Sequence, residues 1–222
     1  MTQPKFPRKA APFAPQGDRV MDRTAAALSE AHPQFRQTPA EAVAPLRTNV
    51  PQMAPGYEGL RLPAVVLLDN IRSMYNVGAF FRAADGVGLE KVCLCGITAH
   101  PPKKAITKTA LGAEEVVAWE HDWDAIQMVE SMRQRGFEIA AIETSLRAVD
   151  LFDWQPRFPV CVAFGNEVEG LRPELLEIAD AHVRIPMLGK KTSLNVATAA
   201  GIVLYELLRK FRILSRNAER GP

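Results

Sequence analysis

The chain has 222 residues, a net charge of +2, and apolar and charged fractions of 47% and 23%, the proportions of an ordinary soluble globular protein with room for one substantial domain and an extension. The mild positive charge permits an RNA partner without requiring one. No apolar run approaches membrane-spanning length, and neither a disulfide framework nor a zinc spacing is visible among three cysteines and four scattered histidines.

Residues 1–60 differ from the rest. Nine of the 17 prolines fall there, at positions 4, 7, 12, 15, 33, 39, 45, 51 and 55, so this stretch reads as an extended, partly disordered arm with one short helix around Arg19–Ala31. Arg8, Lys9, Arg19, Arg23, Arg36 and Arg47 give the arm a basic cast, diluted by Asp18, Asp22, Glu30 and Glu41. Pro4, Pro7, Pro12 and Pro15 break the helix that a transit peptide needs, which leaves the cytoplasm as the expected compartment. The main domain then covers 61–216, with 217–222 as a tail.

From Leu62 onward short apolar runs alternate with helical stretches. Strands are predicted at Ala64–Leu68, Lys91–Cys95, Glu115–Trp119, Glu138–Ile142, Val160–Phe164 and His182–Ile185, and helices at Val77–Val87, Asp124–Arg135, Glu174–Ala179 and Leu194–Leu214. Continuous Val, Leu, Ile and Cys runs imply strands buried on both faces, hence an α/β fold with a largely parallel six-stranded sheet flanked by helices. Cys93, Cys95 and Cys161 lie inside such runs and are expected to be reduced, buried thiols. In the last helix Leu194, Ala197, Gly201, Leu204, Leu208 and Phe211 define a buried stripe, and small residues from Ala197 to Gly201 allow another backbone to approach.

Three loop segments mix glycines with polar residues just after apolar runs. In Asn76-Val77-Gly78-Ala79-Phe80-Phe81-Arg82, Asn76 stands where a helix N-cap would, and Arg82 interrupts an apolar helix. In Phe164-Gly165-Asn166-Glu167-Val168-Glu169-Gly170-Leu171, Gly165 permits close approach of a ligand at a strand's carboxyl end, and one of the two glutamates is placed to pair with Arg82. In Ile185-Pro186-Met187-Leu188-Gly189, Ile185-Pro186-Met187 offers apolar surface and backbone carbonyls for an adenine-like ring. Ser193-Leu194-Asn195-Val196-Ala197 opens the long helix, with Ser193 as its cap. A fourth stretch, His100 to Thr109, carries Lys103, Lys104 and Lys108 with no acid before Glu114, and if RNA binds it is the first patch expected to meet the phosphates.

Together, over roughly Leu62 to Phe211, the three segments resemble the motifs of the SpoU branch of the SPOUT RNA methyltransferases. The resemblance implies a SPOUT fold with a C-terminal trefoil knot, which composition alone does not suggest. It also implies a homodimer with sites at the subunit interface, and S-adenosylmethionine-dependent methylation of a ribose 2′-hydroxyl in tRNA or rRNA. Asn76, Arg82, Glu167, Ser193 and Asn195 match the family's catalytic set. Gly165, Ile185, Leu194 and Thr144 would line the cofactor pocket, and no metal is implied. An arginine keeps its proton under nearly all conditions, so Arg82 is expected to stabilise oxyanion character or grip a neighbouring phosphate rather than act as base. The alternatives are a non-catalytic RNA-binding protein on the same scaffold, and a dinucleotide-binding enzyme. The second lacks its glycine signature, since Asp69-Asn70-Ile71-Arg72-Ser73-Met74 follows the first strand.

Overall fold

The apolar run after Pro63 becomes the first strand, β1 (Leu62–Asp69), buried along almost its whole length. The computed structural model describes Tyr57 and residues 59–219, with side chains described to Arg216. The proline-rich arm, including the helix expected at Arg19–Ala31, and residues 220–222 lie outside the described residues. After β1 come α1 (Met74–Val87), β2 (Leu89–Cys95), α2 (Lys104–Ala110), α3 (Ala113–Val116), β3 (Trp119–Asp122) and α4 (Ala125–Gln134). The rest of the domain is β4 (Glu138–Ile142), β5 (Val149–Asp150), β6 (Val160–Phe164), α5 (Pro173–Ile178), β7 (Ala181–Arg184) and α6 (Val196–Glu219). The sheet has seven strands in the order β3-β2-β1-β6-β4-β7-β5, and every pairing is parallel.

Alternation along β1 divides the core in two. Val66 and Leu68 face one side with Phe80, Leu94, Phe164 and Leu204. Val65 and Leu67 face the other with Cys93, Val129, Ile139 and Leu175. Burying each such side chain contributes about 1.5–3 kcal/mol, so both faces demand cover, and helices supply it. Cys93, Cys95 and Cys161 are free and buried, as expected. Burial pushes the Cys95 thiol up to about 12 and drives Cys93 and Cys161 upward as well, so all three stay protonated at neutral pH.

β4 and β6 have the boundaries predicted for them, and the other predicted helices and strands shift by a few residues, with one exception. The strand expected at Glu115–Trp119 lies at Trp119–Asp122, because Ala113–Val116 forms a helical turn. β5 is a two-residue strand with no apolar signal of its own, and it raises the count from six to seven. The basic stretch after His100, read as a loop, contains helix α2. Gly78 is what lets α2 lie against α1: a Cβ there would stand 2.0 Å from Thr109 Oγ1 and 2.4 Å from the Ile106 carbonyl oxygen.

In α6 the buried positions are Ala200, Val203, Leu204 and Leu207. The expected stripe is therefore rotated. Ala197, Gly201, Leu208 and Phe211 are half-buried, Leu194 is exposed, and a Cβ on Gly201 would meet nothing within 4 Å. Lys210 is buried among these apolar neighbours because its Nζ donates to the Leu151 carbonyl at 2.7 Å, the Phe152 carbonyl at 3.3 Å and the Trp154 carbonyl. Glu206 stands 3.6 Å from the same nitrogen. Lys210→Met keeps the stem but strands these carbonyls. It is expected to lower stability by about 2–4 kcal/mol, read as a shift in the urea midpoint, whereas an unchanged midpoint would show that water replaces the amine.

Candidate active site and cofactor cleft

Because all strands run the same way, the loops after β1, β4, β6 and β7 emerge at one edge of the sheet, where open α/β sheets bind ligands. The loop after β1 is tied down first. Thr98 Oγ1 donates to the Leu68 carbonyl at 3.0 Å and accepts from Ile71 N at 2.9 Å. Asn70 adopts φ 57°, which an asparagine tolerates, and its Oδ1 accepts from Ile97 N at 3.1 Å. Ser73 then caps α1, accepting from Asn76 N at 3.3 Å. Asn76 is thus inside the first turn and not the cap, which frees its side chain for other work.

The loop after β6 is anchored at three points. Asn166 Nδ2 donates to the Asn70 carbonyl at 2.9 Å, and its Oδ1 accepts from Val168 N and Glu169 N. Leu171 N donates to Glu143 Oε2 at 3.1 Å. Arg172 forms a forked pair with the buried Asp69 at 2.8 and 2.5 Å, a charge that needs this partner to remain in the interior. Gly165 serves the loop itself: a Cβ would lie 2.2 Å from the Gly170 carbonyl carbon and Leu171 N. The close approach expected there for a ligand is made by the chain's own return.

This anchoring presents Glu167 to the start of α1. Its carboxylate accepts from Arg72 N at 3.0 Å, Ser73 N at 3.1 Å and Asn76 Nδ2 at 2.8 Å. Partial burial opposes its ionisation. The amides of Arg72 and Ser73 and the side chain of Asn76 outweigh that and hold the carboxyl below the ordinary value. Asn76 Oδ1 in turn accepts from Asn195 Nδ2 at 3.3 Å. Asn195 Oδ1 accepts from Ala197 N at 3.0 Å and Thr198 N at 3.3 Å, so Asn195, not Ser193, caps α6. The sense of this relay is forced from both ends. A carboxylate only accepts and helix amides only donate, so both asparagine amides have one allowed orientation.

Beside the relay opens a cleft of about 590 Å³ lined by Ile142, Glu143, Thr144, Phe164, Gly165, Glu167, Glu169, Ile185, Met187, Ser193, Leu194, Asn195 and Val196. All four predicted cofactor residues, Thr144, Gly165, Ile185 and Leu194, line it, as do Glu167, Ser193 and Asn195 of the predicted catalytic set. Asn76 joins through its hydrogen bonds. Arg82 does not join: it is exposed on α1 and makes no hydrogen bond or ion pair with the described residues. The expected Arg82–glutamate pair is absent, because six helical residues turn the chain through about 600° and set Arg82 about 240° around the axis from Asn76. Glu169 faces solvent. Lys103, Lys104 and Lys108 are exposed, the last two on α2.

The description of the SpoU rRNA methylase family fits residues 63–205. The chain belongs to this family. A SpoU relative, the tRNA (guanosine(18)-2′-O)-methyltransferase of Aquifex aeolicus, is 33% identical over 153 residues, 66% of this chain and 69% of that one. The 23S rRNA (guanosine-2′-O-)-methyltransferase RlmB of Pseudomonas syringae is 31% identical over 160 residues, covering 72% of this chain and 62% of its own. Among solved SpoU-type structures, the A. aeolicus TrmH/SpoU tRNA modifying enzyme superposes with a TM-score of 0.64 at 30% identity, over 70% of this chain and 78% of that chain. The AdoMet-bound rRNA methyltransferase of Sinorhizobium meliloti gives 0.62 at 31%, over 66% and 56%. The chain thus spans about two thirds or less of several relatives' length.

The cleft fits S-adenosylmethionine on this structure's own terms. Its volume suits a nucleoside-sized molecule. Ile142, Ile185, Met187, Leu194 and Val196 form an apolar wall, while Glu143 and Glu167 place negative charge in the lining, complementary to a cationic sulfonium. Arg184, the one basic residue of the lining, is neutralised by Asp150 at 2.6 Å.

Proposed function

We propose that this protein is an S-adenosylmethionine-dependent RNA methyltransferase acting on a ribose 2′-hydroxyl of tRNA or rRNA. The observation that carries the reading is the Glu167–Asn76–Asn195 relay, which draws residues from three distant motifs to the rim of one cleft. When bound, S-adenosylmethionine supplies a methyl group made electrophilic by its positive sulfur. Thr144, Gly165, Ile185 and Leu194, which line the cleft, would hold the cofactor, with Ile185 and Leu194 offering apolar surface to its ring. Glu167 positions Asn76, and Asn76 and Asn195 together fix the entrance of α6, where the exposed Ser193 hydroxyl meets the substrate. The 2′-hydroxyl is a weak nucleophile until its proton leaves, so the site must favour alkoxide character, and Arg82 supplies the cationic fork.

Since Arg82 is exposed and does not line the cleft of its own chain, the complete site in this reading is that of a homodimer in which Arg82 enters from the second copy. Exposed Tyr205, Ile213 and Leu214 along α6 support such a pairing. A knotted path of the segment from Ile185 into α6 belongs to this reading, as does a cytoplasmic location, which the three free thiols favour. Lys103, Lys104 and Lys108 take RNA phosphates. No metal takes part in this scheme.

Calorimetry with S-adenosylmethionine, followed by transfer of labelled methyl to bulk tRNA and rRNA, tests the proposal. Cofactor binding at a single site per chain with label in ribose is the expected result. RNA binding without cofactor binding or transfer would instead identify a non-catalytic RNA-binding protein on the same scaffold.

A further inference from the structure

β3 ends the sheet on the side away from β7 and β5. Its residues Trp119 and His121 pair in register with Val92 and Leu94 of β2. Strand alternation therefore points both rings to the face that Val92 and Leu94 share with Ile106 and Ala110 of α2. His100, in the loop leading to α2, lies nearly parallel to Trp119, with centroids 5.7 Å apart and planes 19° from parallel. Its ring is also 5.0 Å from His121, which meets Trp123 edge-on at 5.5 Å. Four rings thus run in the order Trp119, His100, His121, Trp123. The two ends are tryptophans that are 36% and 72% exposed.

The core does not account for this array, since its terminal rings keep much of their apolar surface in water. Lys103 and Lys104, just after His100, are exposed and make no ion pair with the described residues. The acids nearby are otherwise engaged. Asp122 accepts from Asp124 N, Asp124 caps α4, and Glu120 turns to the opposite face, where it pairs with Lys91 at 3.2 Å. Exposed aromatic faces beside unpaired lysines are how proteins hold unstacked bases while neutralising the adjoining phosphates.

We propose that the Trp119–His100–His121–Trp123 array is a stacking platform for unpaired bases of the RNA substrate, with Lys103 and Lys104 on the flanking phosphates. The proposal rests on the RNA-methyltransferase reading and narrows it to substrates presenting a single-stranded loop or end. The test titrates the full chain with a short oligoadenylate and with duplex RNA of the same length, following tryptophan fluorescence and anisotropy. The single strand is expected to quench the exposed tryptophans and to bind more tightly than the duplex. Trp119→Ala and Trp123→Ala should each weaken single-strand binding by about tenfold without changing its salt dependence, and Trp119→Phe should restore most of it. The double variant Lys103→Ala/Lys104→Ala should instead flatten the log–log salt slope by about 1.4. Cofactor affinity should stay unchanged throughout. Undiminished single-strand binding in both tryptophan variants, or equal quenching by duplex, overturns the platform. So does loss of self-association in those variants with RNA binding intact, which would mark a protein contact. The two readings separate cleanly: quenching without methyl transfer to any RNA sinks the enzyme and leaves the platform, while transfer without quenching does the reverse.

Discussion

Glu167→Gln is expected to lower methyl transfer by about 10²-fold, the scale of misplacing a reacting group by an ångström, while cofactor binding changes little. The reason is the one-way sense of the relay. Glu167 accepts on both oxygens, from Arg72 N on one and from Ser73 N and Asn76 on the other. A glutamine must turn its NH₂ toward one of these donors. Either Arg72 N loses its partner, or the two donors that share Oε1 do, and in the second case Asn76 flips and Asn195 loses its acceptor. Glu167→Asp keeps the charge but falls one methylene short, so partial activity is expected.

The wild type should also carry an acid limb in its pH–rate profile. The Glu167 carboxyl is held below its ordinary value, so the network persists as pH falls through the normal carboxylate range and fails only below it. The same sign governs stability: the contribution is present above the unfolded carboxyl's pKa and disappears as pH falls through the lowered one. Exposure of the group keeps that contribution small. The glutamine variant has no acid to titrate and should lack this limb. Full turnover in Glu167→Gln, or an acid limb unchanged in it, would show that the relay is only structural.

What was legible in the chain follows from how each element earns its burial. β6 is a continuous apolar run and β4 is one after its first residue, Glu138, and their ends were readable to the residue. β3 is Trp-Glu-His-Asp at an edge, partly exposed throughout, so it carries no apolar signal. The Val116-Val117-Ala118 sequence just before it looks like a strand but leaves a helical turn that ends at Val116, with Val117 as its cap. α2 was hidden by its threonines and isoleucine, weak helix formers directly after Pro101-Pro102, and Gly78 gained its meaning only once α2 lay against it. In the site, residue types and their convergence were readable, but partners were not. By residue type Ser73 and Asn76 are equally good caps, as are Ser193 and Asn195, yet the serine caps α1 and the asparagine caps α6, and only the position of Glu167 in space shows that Asn76 and the Asn195 amide link. The ring array at β3 was missed because its four members come from two separated stretches, 119–123 and His100. The available signal was a tryptophan–histidine alternation at 119–123 close to a histidine followed by lysines.

Arg82→Ala is expected to lower turnover by about 10²–10³-fold, as removal of a charge-stabilising donor does, and Arg82→Lys to be severely impaired because an ammonium lacks the planar fork. Neither should disturb the fold, since the side chain is exposed and bonds to none of the described residues. The more telling experiment pairs two inactive chains. Along α1, Arg82 stands about 9 Å beyond Asn76 and on another side of the helix, and it is not among the residues that line the cleft of its own chain. In a two-fold dimer the same surface meets itself, and each cleft can receive the guanidinium of the other copy. Co-expression of Arg82→Ala with Glu167→Ala then yields heterodimers in which one cleft has lost both groups and the other has kept both. Random pairing makes half the dimers mixed, each with one working site of two, so about a quarter of wild-type activity should return. If Arg82 acted within its own chain, every cleft in the mixture would lack one group, and no activity would return. A mixture as inactive as its parents, or an active protein that sediments as a monomer, would remove Arg82 from the partner's cleft and require a substrate path along the exposed face of α1.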